Sequence, residues 1–417
     1  MSTPAARSLA DLLPAEALRA EGEMGAWTVG GSVPEAVVEP CSVEEIRLVL
    51  AAAGAGGFTV VPLGGRTDPG AEAPRGPFVV LSTRRFAGVE DYEPADLTVT
   101  ARAGTTLAAL GAVLAERGQW LPADPPFAPE RTVGGLVATG AAGPLGMAYG
   151  APRDHVLGLS VVTGDGRVLR LGGRVMKNVA GFDLVKLMVG SRGTLSVVLS
   201  ASMRLFPRPA EDRAVVLEAS GPGALLEEAR RVATAGVVPA SAVLLSPAPA
   251  PRGGGACLVV RVQGAGAVAD ADAARLLGPS LTNAVVLRGD EALRALEAMR
   301  DHAAAPPLVL RAFALPGLLP EVLSAVQDAV PVAALAADVM SGRVRVGVAA
   351  GVDPNALARL RTRLEALGGS LAVERAGPEL LGAFAAYGPR GKAGALGRAL
   401  RSRFDPHGVL SAGRFAT

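Results

Sequence analysis

Residues 132–152 read TVGGLVATGAAGPLGMAYGAP, 21 positions without a charged side chain. A run of that length could cross a bilayer as a helix. Six glycines (Gly134, Gly135, Gly140, Gly143, Gly146, Gly150) and two prolines (Pro144, Pro152) deny it a continuous lipid-facing helix. Small residues at this density let backbone N–H groups approach a bulky ligand. The run is also too long and too apolar for a solvated loop, which predicts a buried, ligand-lined path. It lies between two more glycine-rich loops, Gly64-Gly65 and Gly190-Ser191-Arg192-Gly193. Three such loops in one half of the chain predict a large phosphorylated cofactor.

The 417 residues suffice for two or three domains with their own cores. A formal net charge of +2 points to neither a nucleic-acid nor an acidic-membrane surface. The two cysteines, Cys41 and Cys257, are far apart and lack CxxC spacing, so alone they ligate neither zinc nor an iron–sulfur cluster. The reduced, cytosolic reading is preferred for them. Arg7, Asp11 and Glu16 stand where a secretion signal needs an apolar run. Four prolines (Pro239, Pro247, Pro249, Pro251) argue against a membrane helix in the second uncharged run, 232–251.

Along the chain, residues 1–30 read as a short amphipathic helix and a lead-in. Ser42-Val43-Glu44-Glu45 is a capping box that opens a helix to about Ala53. Strands are predicted at 37–38, 58–62, 78–82, 97–101 and 194–205, helices at 106–117 and 181–189, and a hairpin at 158–170 turned by Asp165-Gly166. After Pro209 the texture changes. Strands at 214–219, 258–263, 308–314 and 343–349 alternate with helices at 223–235, 290–300 and 355–367. No internal repeat is evident. Gly264-Ala265-Gly266 mimics a dinucleotide fingerprint, but Ala269 replaces its third glycine, so it reads as a loop. The sequence lacks GxSxG, HExxH and GxxxxGK[ST]. His155, His302 and His407 are isolated and read as structural or surface residues.

The loop 62–70, PLGGRTDPG, follows a strand and favours positive φ, so its N–H groups can form an anion-binding nest, with Thr67 adding a hydroxyl and Arg66 a charge. Taken with AGTTL (103–107), LPADP (121–125), TVGGLVATGAAGP (132–144), RDHVLGLSVVTGDGRV (153–168) and VGSRGTLSVV (189–198), this order resembles the vanillyl-alcohol-oxidase or PCMH-type FAD-binding family over roughly residues 30–210. GGRVMKNVAGFDLVKLMVGSRGTL (172–195) and FDPHGVLSAGRF (404–415) resemble the FAD-binding subunits E of bacterial glycolate oxidases.

The resemblance implies an α+β fold: a lead-in (1–30), a PCMH-type FAD-binding domain of two α+β subdomains (31–209), an α+β cap (210–395) and a C-terminal segment returning to the FAD domain (396–417). It implies noncovalent FAD, because no histidine matches the covalent attachment of some relatives. By position, it assigns Gly64, Gly65, Arg66 and Thr67 to the pyrophosphate loop, and Pro122, Gly134, Gly135, Gly140 and Gly143 to the segment along the flavin. Asp154 matches an Arg-Asp pair; Gly193, Thr194 and Val198 match the segment flanking the adenosine.

Four departures stand out. Arg66 replaces a usual third glycine, Leu145-Gly146 replaces two arginines, Phe182 replaces a tyrosine, and Ser411-Ala412 replaces Asn-Pro. The clustered cap histidines usual among flavin 2-hydroxy-acid dehydrogenases are missing, and no catalytic residue or metal ligand can be named. For Arg174 and Lys177 two readings stand: a carboxylate or partner contact, and a solvated helix edge. The implied function is a partner-dependent FAD subunit of a complex oxidising glycolate or a related 2-hydroxy acid. Its implied partners are a paralogous flavin subunit and an iron–sulfur subunit. It would be cytoplasmic or peripheral at the inner membrane face through those partners. The rivals are a stand-alone FAD dehydrogenase and a scaffold with an empty flavin site.

Overall fold

The computed structural model describes residues 3–68, 72–173, 182–249, 255–277, 284–349, 351–388 and 391–412. Arg174 and Lys177 lie outside them.

The apolar runs AVV, TVVPL and FVVLS are buried almost throughout, as suits a sheet covered on both faces. They form a parallel sheet in the order Ala36–Val38, Phe78–Ser82, Thr59–Leu63. The helix Val43–Gly56 packs on it with Ser42 as the predicted N-cap, while the return bond of the predicted capping box goes to the Cys41 N–H in place of that of Ser42. Ser42 Oγ accepts the Glu45 N–H at 3.2 Å, and Glu45 Oε2 accepts the Cys41 N–H at 2.8 Å.

A five-stranded antiparallel sheet follows, in the order Val89–Glu93, Thr98–Arg102, Ser196–Arg204, Val156–Thr163, Val168–Gly172. Its edge strand VEDYE escaped the sequence reading because it is polar and largely solvated. The glycine-rich run also departs from expectation. It contains the helices Val133–Thr139, Gly146–Tyr149 and Pro152–His155. Thr132 caps the first by accepting the Gly135 N–H at 3.1 Å, and Gly140 ends it at φ 60°. A Cβ on Gly134 would stand 2.8 Å from Ala103 Cβ, so glycine lets this helix lie against the end of the neighbouring strand.

The second half forms an eight-stranded sheet whose order hides a duplication. Glu211–Ala219, Ser241–Ser246, Ala256–Gly264 and Ala284–Leu287, with the helices Pro222–Thr234 and Gly266–Leu277, make one βαββαβ unit. Leu308–Phe313, Val332–Asp338, Arg343–Val348 and Ser370–Arg375, with Leu319–Ala329 and Pro354–Ala366, make a second. The second strands of the two units pair antiparallel, Leu244 opposite Ala337, and fuse the half-sheets. The repeat lives in topology, which is why no sequence periodicity betrays it. Gly264-Ala265-Gly266 is the junction between a strand and the helix Gly266–Leu277.

The chain then returns to its first half. Leu400 and Phe404, on the helix Gly391–Phe404, pack into the core of the five-stranded sheet. Beyond it, Val60 N–H donates to Val409 O at 2.7 Å and Ser411 N–H to Val60 O at 2.8 Å, so Leu410 lies parallel beside the strand Thr59–Leu63. The buried Asp405 carboxylate shapes this turn by accepting the N–H groups of Val409 and Leu410, both at 2.9 Å. Among the described residues no helix is long and apolar enough to cross a membrane.

Asp405→Ala leaves two buried donors without an acceptor and should cost about 2 kcal/mol of stability. Urea unfolding followed by circular dichroism measures this, and an unchanged midpoint would show that the tail contributes nothing to the sheet.

Candidate functional site

The glycine-rich loops converge where the strand Thr59–Leu63 ends. A Cβ on Gly64 would collide with Thr132 Oγ1, and one on Gly65 with the Glu130 carbonyl. Gly140 faces the Gly190 backbone at 3.4 Å, and Gly193, at φ 71°, faces the Pro62 ring at 3.1 Å. A Cβ on Gly143 would fall inside the Asp124 carbonyl oxygen. Gly64, Gly65 and Gly143 are therefore glycine because protein backbone meets protein side chain or backbone there, whereas Gly140 and Gly193 answer to left-handed backbone, at φ 60° and 71°. Sequence reasoning assigned that closeness to the ligand. What the packing leaves for a ligand is the amide edge. Among the described residues, none of the N–H groups of Gly64, Gly65, Arg66 and Thr67 has a hydrogen-bond acceptor. Such a run of free amides, with a left-handed residue at φ 60° (Arg66) in it, is an anion-binding nest.

The other nominated residues fall into two groups. Thr67 lines a crevice at the seam with the cap, and Gly140 and Gly143 line the adjoining cavity. Gly65, Arg66 and Thr67 line a further cavity of about 470 Å³ beside Trp27 and Glu130, and several nominated side chains also make contacts within the protein. Arg66 donates to the Ala26 carbonyl at 2.7 Å and covers the Trp27 ring, which turns its charge toward the lead-in. Asp154 accepts the Ala151 N–H at 2.9 Å. Thr194 Oγ1 donates to Ser191 O at 2.7 Å, while Pro122 is buried and Val198 sits in the core of the five-stranded sheet. Phe182 is 95% exposed, so the lost tyrosine hydroxyl has no packed neighbour to miss.

Several residues that the sequence reading passed over complete the site. Asp68, Arg131, Arg192, Arg345 and Glu374 join the nominated Thr67 around the seam crevice. Arg192, 8% exposed, pairs with Asp68 at 3.3 Å. Arg131, 2% exposed, gives its protons to neutral acceptors, Pro126 O at 3.2 Å and Thr139 Oγ1 at 3.1 Å. Burial pushes its pKa down, and Arg192 and Arg345 nearby add to that while Asp68 opposes it. On the cap, Arg311 and Arg345 stand directly opposite each other on paired strands, a repulsive placement. Glu374 relieves it by accepting from Arg345 at 2.8 Å and pairing with Arg311 at 3.4 Å. Burial raises the Glu374 pKa, but the two arginines outweigh it and hold the pKa below the usual range. The signal in the sequence was charge within an otherwise apolar strand, as in LVLRAF and SLAVER.

Beyond this network a cavity of about 400 Å³ lies between residues 140–144 and the cap strands, with Arg311, Asp338 and Arg343 on its cap wall. Its volume suits a small organic ligand or part of a larger one. Burial lifts the Asp338 pKa, against the N–H groups of Met340 and Ser341 and the charge of Arg343. A larger cavity, about 750 Å³, opens between the helix Leu107–Ala115 and the cap strands carrying Asp212, Arg261 and Gln263. His302 is half-buried with Nε2 unpartnered, and burial lowers its pKa, so it stays neutral at physiological pH.

Asp124 fixes the wall of the smaller cavity. Its carboxylate accepts the Leu145 N–H with both oxygens, at 3.0 and 3.2 Å. Burial pushes its pKa up to about 7, against Arg261, the Leu145 N–H and Arg300. The folded chain therefore binds this proton more tightly than the unfolded chain. The associated stability is present below about pH 4 and is lost as pH rises through about 7. Asp124→Asn keeps the acceptor and removes the titration. The variant should exceed the wild type at pH 8 by up to a few kcal/mol and at pH 5 by clearly less, because only part of the loss has occurred there. Denaturation of the apoprotein at both pH values measures this, and an equal gap at both would refute the assignment.

Comparison with known proteins adds to this geometry. Residues 34–172 match the family model of the FAD binding domain. Over 130 residues the chain is 50% identical to glycolate oxidase subunit GlcE of Escherichia coli (strain K12), covering 31% of this chain and 37% of that protein. It is 39% identical over 193 residues to D-2-hydroxyglutarate dehydrogenase of Xanthomonas citri pv. viticola, covering 46% and 40%. It is 30% identical over 211 residues to glycolate oxidase subunit GlcD of Bacillus subtilis (strain 168), covering 50% and 45%. The matches thus span less than half the length of each of these relatives. A solved alkyldihydroxyacetonephosphate synthase superposes over 99% of this chain and 85% of its own, with a TM-score of 0.73 and 18% identity, a likeness of fold.

Proposed function

The chain carries a PCMH-type FAD-binding domain, with FAD as its cofactor, and on that footing we propose that it is an FAD-binding subunit of a glycolate-oxidase-type complex. The complex oxidises glycolate or a related 2-hydroxy acid to the 2-oxo acid. The observation that carries this reading is the 130-residue stretch of 50% identity with a glycolate oxidase subunit. FAD, when bound, supplies the hydride acceptor for oxidation of a CH–OH carbon.

The residues of this chain bind and orient. The free amides of Gly64 to Thr67 receive phosphate oxygens, and Asp124 holds the wall at Gly143 and Leu145 in place. Arg311 and Arg343 turn positive charge toward the cavity, which favours a substrate carboxylate there. A general base is harder to assign. Asp338 accepts two backbone N–H groups, Glu374 is paired with arginines, and His302 is absent from the lining of the smaller cavity. This favours partner dependence, with a paralogous flavin subunit and an iron–sulfur subunit completing the electron path. The complex would be cytoplasmic or peripheral to the membrane through those partners. The 39% identity with a D-2-hydroxyglutarate dehydrogenase keeps a stand-alone dehydrogenase as the second reading.

The purified chain should show an oxidised flavin spectrum that persists on anaerobic addition of glycolate and bleaches only when the partner subunits are supplied. Bleaching of the chain alone would establish the stand-alone enzyme. A colourless chain that also fails to take up added FAD would leave a scaffold.

A further inference from the structure

At the seam crevice the ionic balance is incomplete. Five arginines line it (Arg131, Arg192, Arg311, Arg345 and Arg375) against two carboxylates, Asp68 and Glu374. Arg192 is matched by Asp68, and Arg311 and Arg345 share Glu374. Arg375 donates to the Ala304 carbonyl at 2.9 Å and is half-exposed, so water screens it. Arg131 differs from all of these. It is 2% exposed, and among the described residues no carboxylate lies within ion-pair distance of it. A guanidinium cannot shed its proton. A buried charge of this kind, bonded only to a carbonyl and a hydroxyl and felt by Asp68 and Glu374 only from beyond ion-pair distance, is compensated only in part by the protein. Arg131 directly precedes Thr132, the residue on which Gly64 rests, and its crevice includes Thr67 at the end of the free-amide run. Gly65, Arg66 and Thr67 also line a neighbouring cavity of about 470 Å³ with Phe127 and Glu130, so Thr67 and Phe127 are where the amide nest and the crevice of the buried cation adjoin.

We propose that Arg131 is a counter-ion for the diphosphate of bound FAD, so that this chain completes its charge balance only when the cofactor is in place. Arg131 is a binding residue here and takes no part in redox chemistry. The inference needs FAD as the cofactor and is independent of which substrate is oxidised.

Binding and stability of the apoprotein together test it, using Arg131→Met, which keeps the side-chain length without charge, and Arg131→Lys, which keeps the charge. Arg131→Met apoprotein should be as thermostable as the wild type or more so, because a desolvated charge is gone. Its affinity for FAD, read by flavin fluorescence titration, should fall at least 10-fold, which is about 1.4 kcal/mol. Riboflavin affinity should not change, because riboflavin has no phosphate. Arg131→Lys should recover most of the loss, and inorganic pyrophosphate should raise the melting temperature of the wild-type apoprotein but not that of Arg131→Met.

Unchanged FAD affinity in Arg131→Met would overturn the proposal while leaving FAD as cofactor. So would an equal loss for riboflavin, or a fall in apoprotein stability with no loss of FAD affinity, since each marks a structural tether. Wild-type protein that binds neither FAD nor riboflavin would overturn both the proposal and the cofactor assignment.

Discussion

The site depends on a steric constraint. The backbone at Gly64 and Gly65 must approach residues 130–132 closely enough that no side chain fits between them. Within that segment the side-chain acceptor is already engaged. Thr132 Oγ1 is taken by the Gly135 N–H. Among the described residues the amides of the loop then find no acceptor. The anion-binding character of the loop is thus a by-product of packing, and Arg66 can occupy a left-handed position without abolishing it because its side chain leaves toward Ala26 and Trp27. Arg131 belongs to the segment that Gly64 and Gly65 approach, so the charge and the amides are set by one local arrangement.

Much of this was legible in the order of the residues. The N-cap at Ser42, the hairpin at Asp165-Gly166 and the apolar strands 59–63 and 78–82 are local signals with local causes, and they appear where the sequence puts them. The glycines marked the right segments. What they could not disclose was direction. A glycine required by a neighbouring carbonyl and one required by a cofactor read identically in sequence, and only coordinates show that Gly143 makes way for Asp124. The helix Val133–Thr139 was missed for a related reason, since its stability comes from a threonine cap and from contact with Ala103, and intrinsic propensity contributes little.

The cap was the least legible part. The second strands of its two units, Ser241–Ser246 and Val332–Asp338, carry few strand signals of their own and are set by pairing with each other. Arg311, Arg345 and Glu374 come from three strands and meet only through register, so no window of sequence contains them together. Asp124 was visible as part of a motif, but its role depends on Leu145, which reaches it only after two short turns of chain.

The return of the chain after the cap carries a mechanical consequence. The cap leaves the first half beyond Phe206–Pro207, a strand held by Gln119–Trp120, and comes back through the helix Gly391–Phe404, whose end is anchored by Gly164. A body attached at two separated points cannot drift or swivel freely. Hydrogen bonds from the Phe127 N–H to Asp301 at 2.8 Å and from the Tyr149 hydroxyl to Gln263 at 2.9 Å add two ties across the same seam. The covalent path of the chain thereby closes the cap onto the first half as a loop closes onto its stem, and the crevice walls are held from both ends.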